Sequence, residues 1–206
     1  FTDFSGNSYH ATQGTSGFQP KFDLNQFGSN AGIKFDGTDD VLNIPNGLSL
    51  FRNWDQYTVQ CLVKRGRLSQ QETFLNFIRN NGTSMRFHIY VTATGIRCSF
   101  RKTDAGAYTS TPEYASNDLN PHLVQVTLNP VNWSVYFYVD GVFVSQTAME
   151  SSGSTDNTDL YAVEIGRYLG GAYFNVLVNG VSINQSYSDY ATIQAQYRGY
   201  KQRGYL

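Results

Sequence analysis

An all-β sandwich with one short C-terminal helix is the fold class that the sequence predicts, on three observations. Aromatic and turn-forming residues dominate: 15 Tyr, 14 Phe and 19 Gly stand beside many Asn, Ser and Thr, a strand-and-turn composition. Runs of period-2 alternation recur at sandwich spacing, with Gly, Asn and Asp punctuation between nearly all of them. The length of 206 residues suits one compact domain with a sizeable core, so the expectation is a single domain over 1–206.

Taken in order, residues 1–30 are rich in Gly, Ser, Asn and Gln with scattered Phe18, Phe22 and Phe27, and read as an irregular arm pinned by aromatics. From Gly32, Ile33 and Phe35 alternate with Lys34 and Asp36. Gly37-Thr38-Asp39-Asp40 then turns the chain into 41–44, predicting two short strands around a turn. Tyr57, Val59, Cys61 and Val63 fall on one face of a long strand, with Thr58, Gln60 and Lys64 on the other. Further strands are expected at 73–79, 85–91, 95–101, 123–128, 133–139, 142–147, 160–166 and 174–183. Asn80-Asn81-Gly82, Thr94-Gly95 and Asp140-Gly141 are hairpin punctuation, the last flanked by Phe137-Tyr138-Val139 and Val142-Phe143-Val144. Ser151 to Asn157 reads as an exposed loop. Ser188 or Asp189 is placed to cap a short helix running through Ile193 to Tyr197.

Composition excludes several functions. Charged residues are 15% of the chain and the net charge is −1, so the basic footprint of a nucleic-acid binder is missing. No run of about 18 apolar residues occurs, and no membrane insertion through a helix is expected. Cys61 and Cys98 sit outside any metal-ligand spacing, and strand parity points both thiols at the core, free rather than bridged.

Several segments, in register, carry a resemblance. Residues 32–45 (GIKFDGTDDVLNIP) resemble the opening hairpin of laminin-G-like domains of the concanavalin A-like lectin/glucanase superfamily, and 57–64 (YTVQCLVK) is similar to that family's next long strand. The likeness continues through 122–127, 135–141, 164–167 and 174–197, and includes an Asp3-Phe4-Ser5-Gly6-Asn7 arm. The resemblance implies a two-sheet antiparallel jelly roll. The chain departs from the family pattern at Asn179-Gly180, where Asp-Glu is common; losing that carboxylate weakens the case for an inherited calcium site.

Catalysis finds little support. Hydrolases of the superfamily carry carboxylates at alternate positions of one strand, and glycoside hydrolysis needs such a pair. The four glutamates here, Glu72, Glu113, Glu150 and Glu164, have no acidic residue two or four positions away. A Ser/His/Asp triad has no G-x-S-x-G elbow to mark it, and His122 at a strand start reads as structural. Relatives of lyase type use Arg, His and Tyr on facing strands, so Arg86, His88, Tyr90 and Tyr138 form the alternative, enzymatic reading.

Outward-facing strand residues are the main candidates for binding. With Phe87, Ile89, Val91, Ile96, Cys98, Phe100, Val135, Phe137 and Val139 inward, Arg86, His88, Tyr90, Arg97, Arg101, Tyr136 and Tyr138 face out. Flat rings and guanidinium donors suit a glycan, or a subunit interface. Asp36, Asp39 and Asp40 are the densest acidic group. A calcium loop takes six or more oxygens, so Asx-type turn bonds from Asp36 and Asp39, with Asp40 capping the next strand, are expected ahead of a structural Ca²⁺. The resulting expectation is a non-catalytic module for adhesion, glycan binding or subunit packing, without a cofactor. It would act at an extracellular or virion surface, in a phage fibre, a head decoration or a bacterial surface protein, with glycans or other subunits, including further copies of the chain, as partners.

Overall fold

The computed structural model describes residues 2–45, 50, 53–79, 85–101, 108–149, 161–168 and 172–206. Two antiparallel sheets face each other. Sheet I runs in the order β1 (Lys21–Phe27), β2 (Asn30–Lys34), β16 (Val176–Asn184), β4 (Tyr57–Arg65), β10 (His122–Asn129), β11 (Ser134–Val139), β12 (Val142–Ala148). Sheet II runs β3 (Leu42–Ile44), β13 (Tyr161–Ile165), β5 (Glu72–Arg79), β6 (Met85–Val91), β7 (Gly95–Phe100), β8 (Thr109–Ser110), with β9 (Tyr114–Ala115) also on β7. A one-turn 3-10 helix (Ser16–Phe18), a small hairpin, β14 (Arg167–Tyr168) and β15 (Ala172–Tyr173), and a helix, α1 (Tyr190–Gln202), complete the described elements. No described helix is long and apolar enough to cross a membrane.

The core lies between the sheets and follows the expected parity. Tyr57, Val59, Cys61 and Val63 of β4 meet Phe87, Ile89 and Val91 of β6, all buried. Tyr57 and Phe77 each pack edge-on against Phe87, at centroid distances of 6.0 and 5.7 Å, the geometry that ring quadrupoles prefer. Cys61 and Cys98 are free and buried in the same core, where burial pushes both thiols up. Asp140 and Gly141 take φ of 52° and 72°, the two left-handed positions of a tight hairpin turn between β11 and β12.

A second, smaller apolar cluster lies on the outer face of sheet I. Phe27, Leu62, Leu123 and Leu177 are covered by Tyr197 and Tyr200 of α1 and by Tyr205 and Leu206 beyond it. Gln60 donates to the Tyr200 hydroxyl (3.1 Å) and Gln125 to Gln196 (2.8 Å), so the polar side chains under the helix are bonded across the same contact. Asp189 is the N-cap, accepting from the Thr192 amide at 2.8 Å, and α1 extends past Tyr197 to Gln202.

Two expectations need correction. The stretch 1–30 is not wholly irregular: Lys21–Phe27 is a strand on the sheet edge. Phe22 and Leu24 there are 73% and 64% exposed and Phe18 is exposed too, so only Phe27 anchors the segment and no buried face wrote an alternation into it. The strands flanking Gly37 to Asp40 are not a hairpin either. β2 pairs with β16 in sheet I and β3 pairs with β13 in sheet II, so the turn carries the chain from one sheet to the other. Asn80-Asn81-Gly82 and Ser151 to Asn157 lie outside the described residues.

Candidate functional site

The outer face of sheet II carries a ladder of polar residues in register. Asn43 lies opposite Glu164, Glu164 opposite Asn76, Asn76 opposite His88, His88 opposite Ser99, and Ser99 opposite Ser110. Alternation produces the row, because each residue is flanked on its own strand by core-facing neighbours such as Phe87 and Ile89 or Phe77 and Leu75. Glu164, Asn76 and His88 are nearly or fully buried although they face away from the core.

His88 is the centre of the row. Its Nε2 lies 2.7 Å from the Thr73 hydroxyl, the Tyr90 ring stacks on it at 4.3 Å with a 10° interplanar angle, and the Tyr168 ring lies 5.1 Å away. Burial pushes its pKa down to about 3, so the imidazole is neutral across the physiological range. Ser99 donates to the Tyr90 hydroxyl (3.3 Å) and shares a 2.8 Å bond with Ser110. At the other end Arg167 bonds Glu164 and lies over the Tyr173 ring. Two members of the ladder stay unsatisfied: both amide atoms of Asn76, and Oε2 of Glu164, are buried without a hydrogen-bond partner. Such atoms cost about 1–3 kcal/mol each, a cost that natural sites tolerate where a ligand is bound.

Of the predicted residues, the fold brings His88 and Tyr90 together, with Arg97 opposite Tyr90 in the next strand, half-exposed and paired with Glu113 at 3.2 Å. Arg101 stands just past β7 with its guanidinium 4.9 Å from the Tyr108 ring centroid. Arg86 belongs to β6, and its side chain lies outside the described residues. Tyr136 and Tyr138 do not join this face. They sit on the outer face of sheet I, where Tyr138 is 3% exposed and packs on Phe143 and Tyr190, while Tyr136 meets Phe143 and Tyr187. Burial and neighbouring phenols push the Tyr138 hydroxyl up to about 12. The lyase-type grouping of His88 with Tyr138 therefore fails, because the whole sandwich separates them. Sequence reading missed Asn76, Glu164 and Tyr168; the first two are ordinary outward positions of expected strands, and only the sheet register aligns them with His88.

Two other clusters have local explanations. The carboxylate oxygens of Asp36, Asp39 and Asp40 lie within 4.8 Å of one another. Asp36 Oδ1 accepts the Thr38 and Asp39 amides (2.7 and 3.4 Å) and Asp40 Oδ2 accepts the Asp36 amide (2.9 Å), so Asp40 ties the turn back on itself instead of capping the next strand. With two of the three carboxylates spent on amides, the turn holds itself and makes a poor cation cage. Ser116, His122 and Asp140 do line up, with Ser116 Oγ 3.0 Å from Nε2 and Asp140 Oδ2 2.7 Å from Nδ1. Asp118 also faces Nε2 at 3.2 Å, however. Burial alone would lower the imidazole pKa; the hydrogen bond and charge of Asp140, joined by Asp118, outweigh it and hold the pKa above its ordinary value. The Ser116 hydroxyl donates to Asp118 Oδ2 at 3.1 Å, so its proton is turned away from the imidazole, and the group reads as a network that fixes the His122 ring.

A two-sheet jelly roll with a polar, ring-flanked outer face defines a lectin-type sandwich, and the family comparison agrees. The chain belongs to the concanavalin A-like lectin/glucanases superfamily, whose laminin-G-type family model matches residues 36–190. Among curated proteins none matches the chain. Among solved structures, the binding domain of Paraclostridial Mosquitocidal Protein 1 is similar at TM-score 0.71 and 13% identity, over 96% of this chain and 49% of that one. The Botulinum Neurotoxin serotype G binding domain follows at 0.66 and 12%, over 94% and 47%. The CBM40 of the Ruminococcus gnavus IT-sialidase, bound to α2,3 sialyllactose, is similar at 0.66 and 16%, over 81% of this chain and 95% of that one. The chain thus spans about half the length of the toxin domains and nearly all of the sialidase module.

Proposed function

We propose that the protein is a non-catalytic glycan-binding module whose contact surface is the outer face of sheet II, acting at an extracellular or virion surface. The observation that carries this reading is the ring-flanked face over the ladder: the half-buried rings of Tyr90, Tyr168 and Tyr173, with the half-exposed Arg97 guanidinium opposite Tyr90. Rings offer flat faces to the C–H surface of a sugar, while a guanidinium donates to its hydroxyls or carboxylate. The sialyllactose held by the sialidase module of the same fold supports the choice of ligand class.

Glycan-array screening followed by calorimetry tests it. The chain should retain at least one glycan, and Tyr168→Ala, at a half-buried position, should weaken binding by up to about tenfold. Retention of no glycan, or full binding by the Tyr168 variant, rejects the assignment. Subunit packing is a second reading, favoured by the exposed apolar residues of the β1 edge. It predicts a defined oligomer in sedimentation that Phe22→Lys returns to monomer.

A further inference from the structure

β16 changes its surroundings half-way along. At Leu177 and Val178 it is paired on both sides, with β2 and with β4, but past a bulge at Asn179 and Gly180 only the β4 side continues, through Asn184. Nothing among the described residues pairs with the other edge from Gly180 to Asn184. The last contact on that side is the Asn179 amide donating to the Ala31 carbonyl at 2.6 Å. A cleft of about 750 Å³ runs along the open edge. Its floor is the mouth of the core between the sheets, with Ile44, Leu50, Trp54 and Ile165 below and Val181 and Ile183, both half-buried, alongside.

The opposite wall is the N-terminal arm, and it is built to keep its shape. The Asp3 carboxylate accepts from the Ser5 amide (2.8 Å), the Ser5 hydroxyl (2.7 Å) and the Tyr9 amide (3.0 Å), while the Asp3 amide donates to His10 Nδ1 (3.0 Å). Backbone bonds between Thr12 and Asn43 dock the arm on β3. The amide bonds from Ser5 and Tyr9 hold the Asp3 carboxyl below the usual carboxylate range, so it keeps its charge at the rim of the cleft. Phe4 stands at the wall 95% exposed.

We propose that this cleft binds an extended peptide segment of a partner protein, apolar at alternate positions, which adds to the free edge of β16 as a strand. An open run of backbone N–H and C=O groups at strand spacing is matched by another extended backbone and by no sugar or hydrocarbon. The apolar floor takes the side chains at alternate positions of the incoming strand and, because a charge set against Ile44, Trp54 and Ile165 would lose its hydration, selects against charged residues there. This site is separate from the ladder on sheet II, and its ligand class is different.

The test uses the full chain and a synthetic hexapeptide alternating Val and Thr, capped at both ends. The peptide should bind by calorimetry, and the amides of residues 180–184 should gain hydrogen-exchange protection. Methylating the backbone nitrogens of either alternate set in turn should give one peptide weakened by more than about tenfold, because that set supplies the donors to β16. Replacing the Val residues with Lys should abolish binding. Phe4→Ala, which removes no packing from the folded chain, should weaken it by about fivefold through lost apolar contact. Absence of binding, binding indifferent to both methylation patterns, or protection arising away from 180–184 overturns the proposal.

Discussion

The pKa values of His88 and His122 are pushed in opposite directions by their surroundings. His88 is buried with a hydroxyl and two rings, which favour the neutral form, and its pKa falls to about 3. Between about pH 6.5 and 3 the unfolded chain binds a proton there that the folded chain refuses, so stability falls as the pH drops through that window. His122 lies between Asp140 and Asp118 with a raised pKa. Its contribution is fully present below about pH 6.5 and is lost as the pH rises through the higher folded value. In thermal melts across pH, His88→Gln should flatten the acid limb relative to the parent and His122→Gln the limb above about pH 6.5. A His122 variant with an unchanged slope above that pH would show that the two carboxylates do not raise its pKa. Both residues have the same unperturbed chemistry. Asp118, four positions before His122, is one local difference, and the rest lies in residues 15 and 18 positions away that the sheets bring alongside.

At the scale of elements, glycines show how local geometry and packing divide control. Gly166 has φ +84°, and an added Cβ would meet the Phe35 ring at 2.2 Å. Gly166→Ala therefore combines left-handed strain with a clash in a close-packed core, and should cost more than about 2 kcal/mol in chemical denaturation. Gly199 lies inside α1 with nothing within 4 Å of an added Cβ, so Gly199→Ala should stabilise by about 0.5–1 kcal/mol. Asp189→Ala removes the cap bond to Thr192 and should cost about 1 kcal/mol. The cap, the hairpin turn at Asp140-Gly141 and the faces of β4, β6, β7 and β11 were legible in the sequence because each follows from residues within a few positions. β1 was not, since Phe27 is its single fully buried residue and one apolar position leaves no period to read.

For the whole molecule, the two outer faces have different fates. The face of sheet I is closed by the chain's own helix, which buries Phe27, Leu62, Leu123 and Leu177; the face of sheet II keeps a polar ladder. A chain ending before Tyr187 should expose that apolar cluster, bind a hydrophobic dye and aggregate, while the full chain should not. The candidate site was half legible for the same reason: His88 and Tyr90 were placed outward correctly, and Tyr136 and Tyr138 were too, yet the pairs belong to different surfaces.

By itself the sequence determined the class of fold, the strands with a buried face, and for each of those strands which side chains turn inward. Alternation carries that information because one side of each strand must leave water. Only the tertiary structure decided which sheet each strand joins, and therefore that Asn76, Glu164 and Tyr168 gather round His88 while Tyr138 lies under α1. Strand pairing is a long-range choice among apolar faces that are alike in sequence, and it is settled by the packing of the assembled core and by the helix that covers one side of it.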